Sequence, residues 1–205
     1  MGSRYQTKYS VNKYIEFFNS LLNRNFQRLD SYTERKYALT LEFNSEVKQY
    51  QSQPFTLNYV DSLGKERQYT PDFLVQEPDG LVVYEIKQKY KPTLKDPDFL
   101  VIEDILLRKN HARFELLSEK DFSTAYQIQN IERLYTYKRI PQALIAQYDF
   151  RKLIGAKQCC FGELKEAAKM KGLAPVIPFG VVAHQYAKFD LTTEALNDNT
   201  LLEVA

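Results

Sequence analysis

The segment between Arg67 and Lys89 constrains the fold of this 205-residue chain more than any other. It contains two runs rich in β-branched and aromatic residues, RQYTPDFLVQ and LVVYEIKQK, and this composition favours two strands. Between them, the residues EPDG are typical of a turn. The sequence therefore predicts a β-hairpin in the middle of the chain.

The length of the hairpin loop decides which charged side chains share a face. If Asp79-Gly80 forms a two-residue turn, Asp72 lies opposite Lys87, and if residues 77–80 form a four-residue loop, Asp72 lies opposite Glu85. Side chains alternate with period two, so either even-length loop places Asp72, Glu85 and Lys87 on one face of the sheet. An odd-length loop would separate them.

Two carboxylates about 5 Å apart on adjacent strands repel each other unless a cation lies between them. Mg²⁺ suits such a pair, because it binds one or two carboxylates together with phosphate oxygens and water. The ion would lower the pKa of a bound water and stabilise charge on a phosphate, while Lys87 would hold the water or help to deprotonate it. A surface hairpin with a cross-strand salt bridge is the alternative. The combination of PD with a following ExK is, however, the signature of metal-dependent nucleases with a restriction-endonuclease-like core.

Composition excludes several classes of protein. The formal net charge is +2, so any contact with nucleic acid must come from a local patch or from a partner. No run of eighteen apolar residues is present, so no membrane span is expected, and the N-terminus does not resemble a secretory signal. The only cysteines, Cys159 and Cys160, are adjacent, which favours neither a disulfide nor a zinc site and suggests a cytoplasmic protein.

The order of elements predicts an α/β fold with a mixed central sheet flanked by helices, as in restriction endonucleases. Residues 1–30 suggest a short helix or an arm over the core. The predicted elements that follow are a helix over 31–43, a strand at FTLNYV, the hairpin, a helix from Asp96-Pro97 to Asn110, a strand over 113–117 and a helix or helical pair over 120–139.

Ile140-Pro141 marks a domain boundary, which gives a nuclease domain over 1–143 and a smaller domain over 144–205. Two short helices separated at Lys171-Gly172, followed by two strands around an Asn-Asp-Asn turn, predict a winged helix. Four apolar residues of its last helix fit either a core or a recognition face, and a core is favoured: Phe179, Val181, Val182 and Tyr186.

Glu34 has two interpretations that spacing does not separate. Ser31 and Glu34 form the pattern of a capping box, in which the glutamate bonds back to the Ser31 N–H. Glu34 also falls on the apolar face of its helix, where a carboxylate needs compensation such as a metal site. Glu42 and Glu46, near the end of the same helix, are expected to be exposed to solvent.

Residues 25–140 resemble TnsA, the endonuclease subunit of heteromeric bacterial DNA transposases. The resemblance rests on LEFNSEVKQYQSQP, TPDFLV and VVYEIKQK, and residues 144–205 are similar to the C-terminal winged-helix domain of the shorter members. It implies a catalytic set of Glu34, Asp72, Glu85 and Lys87. The implied ligands of Mg²⁺, for which Mn²⁺ would substitute, are Asp72, Glu85, the backbone carbonyl of Ile86 and Glu34.

The resemblance also implies a function and partners. TnsA-like subunits hydrolyse phosphodiester bonds at the 5′ ends of a transposon in double-stranded DNA. A TnsB-like transposase cuts the 3′ ends, and a TnsC-like AAA+ regulator contacts the C-terminal part. Two alternatives stay open: a stand-alone restriction or repair nuclease, and an inactive nuclease-fold adaptor that binds DNA or partners.

Overall fold

A computed structural model of the chain describes residues 14–61, 63–87 and 97–204. Its strands are β1 (Glu16–Ser20), β2 (Asn25–Leu29), β3 (Gln49–Ser52), β4 (Leu57–Val60), β5 (Glu66–Tyr69), β6 (Phe73–Glu77), β7 (Gly80–Lys87), β8 (Ala112–Ser118), β9 (Gln158–Cys160), β10 (Ala187–Lys188) and β11 (Leu201–Val204). Its helices are α1 (Tyr32–Phe43), α2 (Pro97–Asn110), α3 (Glu119–Phe122), α4 (Ala125–Lys138), α5 (Gln142–Ala146), α6 (Phe150–Ile154), α7 (Phe161–Met170) and α8 (Ile177–Ala183). No helix within these ranges has the length and apolar composition needed to cross a membrane.

The central sheet has four strands in the order β3-β6-β7-β8. The β3/β6 and β6/β7 pairs are antiparallel, whereas β7 and β8 are parallel. A parallel pair needs a long crossover, and α2 lies in that connection. The predicted mixed sheet is confirmed, as are the helices α1, α2, α3 and α4. The Asp96 cap predicted for α2 lies outside the described residues.

The two faces of this sheet bury different clusters. On one face, Tyr37 of α1 packs its ring against Phe73 and Tyr84, at centroid distances of 5.2 and 5.4 Å. On the other face, Ile102 and Leu106 of α2 join a cluster with strand residues of β7 and β8. This second cluster extends to Leu74 of β6 but includes no residue of β3, and Gln49 and Gln51 of β3 are exposed.

Residues 16–29 form a β-hairpin, so the interpretation of this stretch as a short helix was wrong. β1 and β2 pair antiparallel from Glu16↔Leu29 to Ser20↔Asn25. Burial alternates along both strands, so the neighbours Phe17 and Phe18 point to opposite sides. Two adjacent phenylalanines resemble a helical face in sequence, but here only Phe18 enters the core.

Pro71 divides the predicted strand RQYTPDFLVQ in two. Proline has no N–H to donate to a ladder and restricts the residue before it, so it interrupts a sheet strand. β5 ends at Tyr69 and pairs with β4 in a separate two-stranded sheet, whereas β6 begins at Phe73 in the central sheet. The strand predicted at FTLNYV is confirmed as β4.

The C-terminal part contains a three-stranded sheet in the order β10-β11-β9. α7 and α8 confirm the two predicted helices on either side of Lys171-Gly172. The prediction of two strands around the Asn-Asp-Asn turn is confirmed only in part. β11 follows the turn and pairs with β10, but β10 ends at Lys188, before the predicted first strand, and β9 is a second partner of β11. Residues 189–200 form turns and irregular backbone.

The C-terminal part packs directly on α4. Phe179 of α8 stacks on Tyr137 with ring centroids 4.5 Å apart. Val181 and Val182 are buried, and Phe179 and Tyr186 pack against the same cluster, which confirms the core interpretation of this helix. One buried cluster therefore continues from the N-terminal hairpin to β11.

Candidate active site

The register of the β6/β7 hairpin brings the motif residues together. Glu77 pairs with Gly80 and Phe73 with Tyr84, so Pro78-Asp79 forms the connection. One step beyond Phe73, the same register places Asp72 opposite Glu85. This is the register predicted for a loop over residues 77–80, and it keeps Asp72, Glu85 and Lys87 on one face.

Hydrogen bonds to both the side chain and the backbone carbonyl hold Asp72 in position. Its Oδ2 accepts a hydrogen bond of 2.7 Å from the Ile86 N–H, and its carbonyl accepts one of 3.0 Å from the Gln53 N–H. Burial, followed by the negative charge of Glu85, raises the pKa of Asp72 to about 7. The carboxylate therefore lies in surroundings that disfavour its charged form in the absence of a cation.

Glu85 is 7% exposed and uses both carboxylate oxygens. Oε2 accepts a hydrogen bond of 2.7 Å from the Tyr69 hydroxyl, and Oε1 forms an ion pair with the Lys87 ammonium. The ammonium also lies over the ring of Phe99, 5.5 Å from its centroid. Lys87 is thus held between a carboxylate and an aromatic face, at the partly exposed side of the site.

Tyr69 is a residue of the site that the sequence analysis did not identify. Its ring packs edge-on against Phe99 and Phe114, each at 6.4 Å, and this packing directs the hydroxyl to Glu85. Burial and the neighbouring Glu85 both raise the pKa of Tyr69, so its hydroxyl stays a donor. No local pattern indicates this contact, because Tyr69 belongs to the β4/β5 hairpin and not to the strands of the motif.

Glu34 makes the capping contact with Ser31 and is also buried, close to Glu85. It is 6% exposed, and its oxygens accept hydrogen bonds from the Ser31 hydroxyl at 2.7 Å and from the Asp30 N–H at 2.9 Å. Ser31 caps α1 as predicted, although the returning bond goes to Asp30 and not to the Ser31 N–H. Burial raises the pKa of Glu34, and the charges of Asp30 and Glu85 add to the effect. Glu34 therefore lies within the electrostatic field of Glu85.

Glu42 is buried, so the prediction that it would be exposed was wrong. It is 3% exposed and accepts hydrogen bonds from the Ser20 hydroxyl, the Tyr50 hydroxyl and the Leu22 N–H at 2.6, 2.9 and 3.0 Å. These donors come from the N-terminal hairpin and β3, which no pattern within α1 could reveal. Glu46 is exposed as predicted.

The donor set fits a cation that needs few protein ligands. Within the described ranges, no group of three or more His, Cys, Asp or Glu side chains is close enough to hold a metal ion. Asp72 and Glu85 supply two carboxylates, however, and Mg²⁺ commonly takes only one or two, with phosphate and water completing its shell. The raised pKa of Asp72 indicates that Lys87 does not fully compensate this pair.

Comparison with known proteins places the motif within a family. Residues 44–140 match the family model described as TnsA-like endonuclease N terminal. This part of the chain is similar to the N-terminal domain of TnsA-like endonucleases. The matched range includes Asp72, Glu85 and Lys87, and the mixed sheet flanked by helices is consistent with a nuclease fold. Glu34 precedes the matched range. No curated protein matched the chain.

Proposed function

We propose that this chain is an Mg²⁺-dependent DNA endonuclease subunit of a TnsA/TnsB-type transposase in the bacterial cytoplasm. It would hydrolyse phosphodiester bonds at the 5′ ends of a transposon during cut-and-paste transposition. The observation that supports this proposal is the convergence of Asp72, Glu85 and Lys87 on one sheet face, inside the TnsA-like range.

Each residue has a proposed role at this site. Asp72 and Glu85 would bind the cation, with the Ile86 carbonyl and Glu34 contributing directly or through water, and Mn²⁺ would substitute. A bound divalent ion supplies charge for the phosphate and lowers the pKa of a coordinated water. Lys87 would position the attacking water and the phosphate. Tyr69 would keep Glu85 in the orientation that binding requires.

Residues 144–205 form a proposed winged-helix domain, separate in function from the nuclease domain over 1–143. The element order β9, α7, α8, β10, β11 and the sheet order β10-β11-β9 support this proposal. In a winged helix, the second helix of the turn would be α8, and here it is buried against α4 and α7. A buried helix cannot enter a DNA groove, so we propose that this domain contacts the TnsB-like transposase or a TnsC-like AAA+ regulator.

Cleavage of a labelled transposon-end duplex, with and without the partner transposase, tests the proposed function. We expect 5′-end cleavage that needs Mg²⁺ or Mn²⁺ and increases strongly when the partner is present. Asp72→Ala should abolish cleavage without preventing assembly with the partner. Efficient cleavage by the isolated chain would instead identify a stand-alone nuclease. No cleavage under any of these conditions would identify an adaptor.

A further inference from the structure

A polar groove of about 670 Å³ lies along β3 and β6, beside the N-terminal hairpin. Gln51 of β3 pairs with Leu74, and Gln49 pairs with Gln76. Leu74 and Gln76 alternate with Asp72 along the chain, so they lie on the same side of the sheet as Asp72. The floor of the groove is therefore an extension of the catalytic face.

One end of the groove lies next to the candidate active site. Gln53 lines its end, and the Gln53 N–H donates to the Asp72 carbonyl. From there the groove runs towards Lys48, whose N–H bonds to the Gln76 carbonyl at 3.0 Å. A linear molecule that lies in the groove would reach Asp72 at one end.

The charge of the groove is distinctive for a chain with 26 Asp and Glu residues. Of the fifteen lining residues, seven are Asn or Gln, two are basic and none is acidic. Lys48 is exposed and has no ion-pair partner within the part of the chain that the structure describes, whereas Arg28 pairs with Asp30 at 3.1 Å. The exposed amides of Asn25, Gln49 and Gln51 and the cation of Lys48 thus offer hydrogen-bond donors and positive charge, and no carboxylate is among the lining residues.

Neutral amides and a few cations suit a nucleic acid better than a protein. Asn and Gln donate to phosphate and sugar oxygens, as Lys and Arg do, and they also bond base edges. A stable protein interface would instead need a desolvated centre rich in aromatic and aliphatic side chains. Phe26, on the wall of the groove, is the exposed aromatic residue there.

We propose that this groove, defined by β3, β6 and the facing edge of β2, binds the DNA backbone next to the phosphate that is cut. The proposal rests on the proposed nuclease function, since it extends that substrate beyond the catalytic residues. The proposal also gives the path of the DNA on the surface. From Asp72, the duplex would extend along Gln53, Gln51 and Gln49 and pass Lys48.

The test is binding of a fluorescent mixed-sequence duplex to the full chain, followed by anisotropy between about 50 and 200 mM NaCl with chelator present. The groove variants are Gln49→Glu/Gln51→Glu, at two exposed positions, and Lys48→Gln. Gln129→Glu, on the exposed side of α4, adds one carboxylate away from the groove and is the control for a nonspecific effect of added charge. Circular dichroism and urea unfolding verify that all variants fold alike.

We expect the double variant to bind at least about tenfold more weakly, because two carboxylates then face phosphates. Lys48→Gln should reduce the slope of log K against log salt concentration by about 0.9, the value for one lost phosphate contact. The control should bind like wild type. Equal DNA affinity and equal slope in wild type and both groove variants would overturn the proposal.

Two further outcomes separate this proposal from others. If the groove variants lose association with a partner transposase but keep DNA affinity, the groove binds a protein and the proposal is overturned. If the wild-type chain shows no cleavage in the assembled transposase, yet the groove variants still lose DNA binding, the nuclease function fails and the groove assignment stands.

Discussion

At the scale of single residues, the site is organised around a repulsion between carboxylates. Asp72 and Glu85 lie on adjacent strands, and Glu34 adds negative charge from α1. Lys87 neutralises one of these charges through its ion pair with Glu85, and Tyr69 orients the same carboxylate. The negative charge of Asp72 is therefore not fully compensated by a neighbouring cation, and an uncompensated carboxylate favours the binding of a divalent ion.

Replacing Lys87 with alanine should abolish most cleavage while metal binding is kept. The ammonium supplies charge and positioning and no metal ligand, and the loss of one such group typically costs about 10²–10³ in rate. Single-turnover cleavage in the complete transposase assembly and Mn²⁺ titration measure the two effects. Lys109→Ala, at an exposed position in the last turn of α2, is the control. Undiminished cutting by the variant would contradict the role of Lys87.

Tyr69→Phe should reduce cleavage by about tenfold, the effect of losing one hydrogen bond to a charged group. The ring and its packing against Phe99 and Phe114 remain, so the fold should be unchanged. Because the variant disturbs Glu85, a higher Mg²⁺ concentration should restore part of the rate. If its rate and its Mg²⁺ dependence match those of wild type, Tyr69 has no positioning role.

The raised pKa of Asp72 predicts a pH-dependent cost to stability in the metal-free protein. The folded pKa of about 7 exceeds the ordinary aspartate value of 3.8, so the folded state binds more protons than the unfolded state between these values. Stability contributed by this residue is therefore lost as pH rises from about 4 to 7. Asp72→Asn should stabilise the chain relative to wild type at pH 8 and much less at pH 4, measured by urea unfolding in chelator. An equal difference at both pH values would argue against the shift.

At the scale of elements, the N-terminal hairpin completes the edge of the central sheet. Side-chain oxygens of Asn23 and Gln27 accept hydrogen bonds from the N–H groups of Tyr50 and Ser52, at 3.1 and 2.8 Å. They satisfy the outer edge of β3, which would otherwise be open to another strand. Glu42 of α1 accepts three hydrogen bonds that link α1 to the same hairpin and to β3.

Glu42→Ala should lower the free energy of unfolding by about 2–4 kcal/mol. It leaves buried donors of the hairpin and β3 without a charged acceptor, and such losses are costly. Glu46→Ala, four residues further along the chain and exposed, should change the stability by less than about 0.5 kcal/mol. Urea unfolding of both variants provides the comparison, and similar values for the two would refute the anchoring role of Glu42.

At the scale of the whole molecule, the two proposed domains share a buried cluster. Leu134 of α4 lines a small cavity with Val182 and Ala187, and Asn130 bonds the carbonyls of Leu191 and Glu194 at 2.9 and 2.7 Å. These contacts cross the proposed boundary at residue 143. Residues 144–205 are proposed to have a separate function, but residues 1–143 pack against them and depend on these contacts.

A chain truncated to residues 1–143 should be less stable than the full chain. Truncation uncovers Leu134 and removes the backbone partners of the buried Asn130, and both changes carry a cost. We expect a lower melting temperature and exposed apolar surface that binds a hydrophobic dye. A truncated chain that melts at the temperature of the full chain would show that residues 1–143 fold independently.

The sequence by itself determined the features that depend on residues close together in the chain. The parity of the motif hairpin, the cap of α1 and the placement of α2 follow from periodicity, turn residues and capping residues. Local rules also favoured a core role for Val181 and Val182, which the structure confirms.

Only the tertiary structure decided the features that depend on distant residues. The polar run of β3 becomes a strand because β6 and the amides of the N-terminal hairpin satisfy its two edges. Glu42 is buried because donors from that hairpin surround it, and Tyr69 reaches Glu85 because Pro71 redirects the chain between two sheets. Such contacts join segments that no local pattern relates, so the free energy that fixes them exists only once the whole chain has folded.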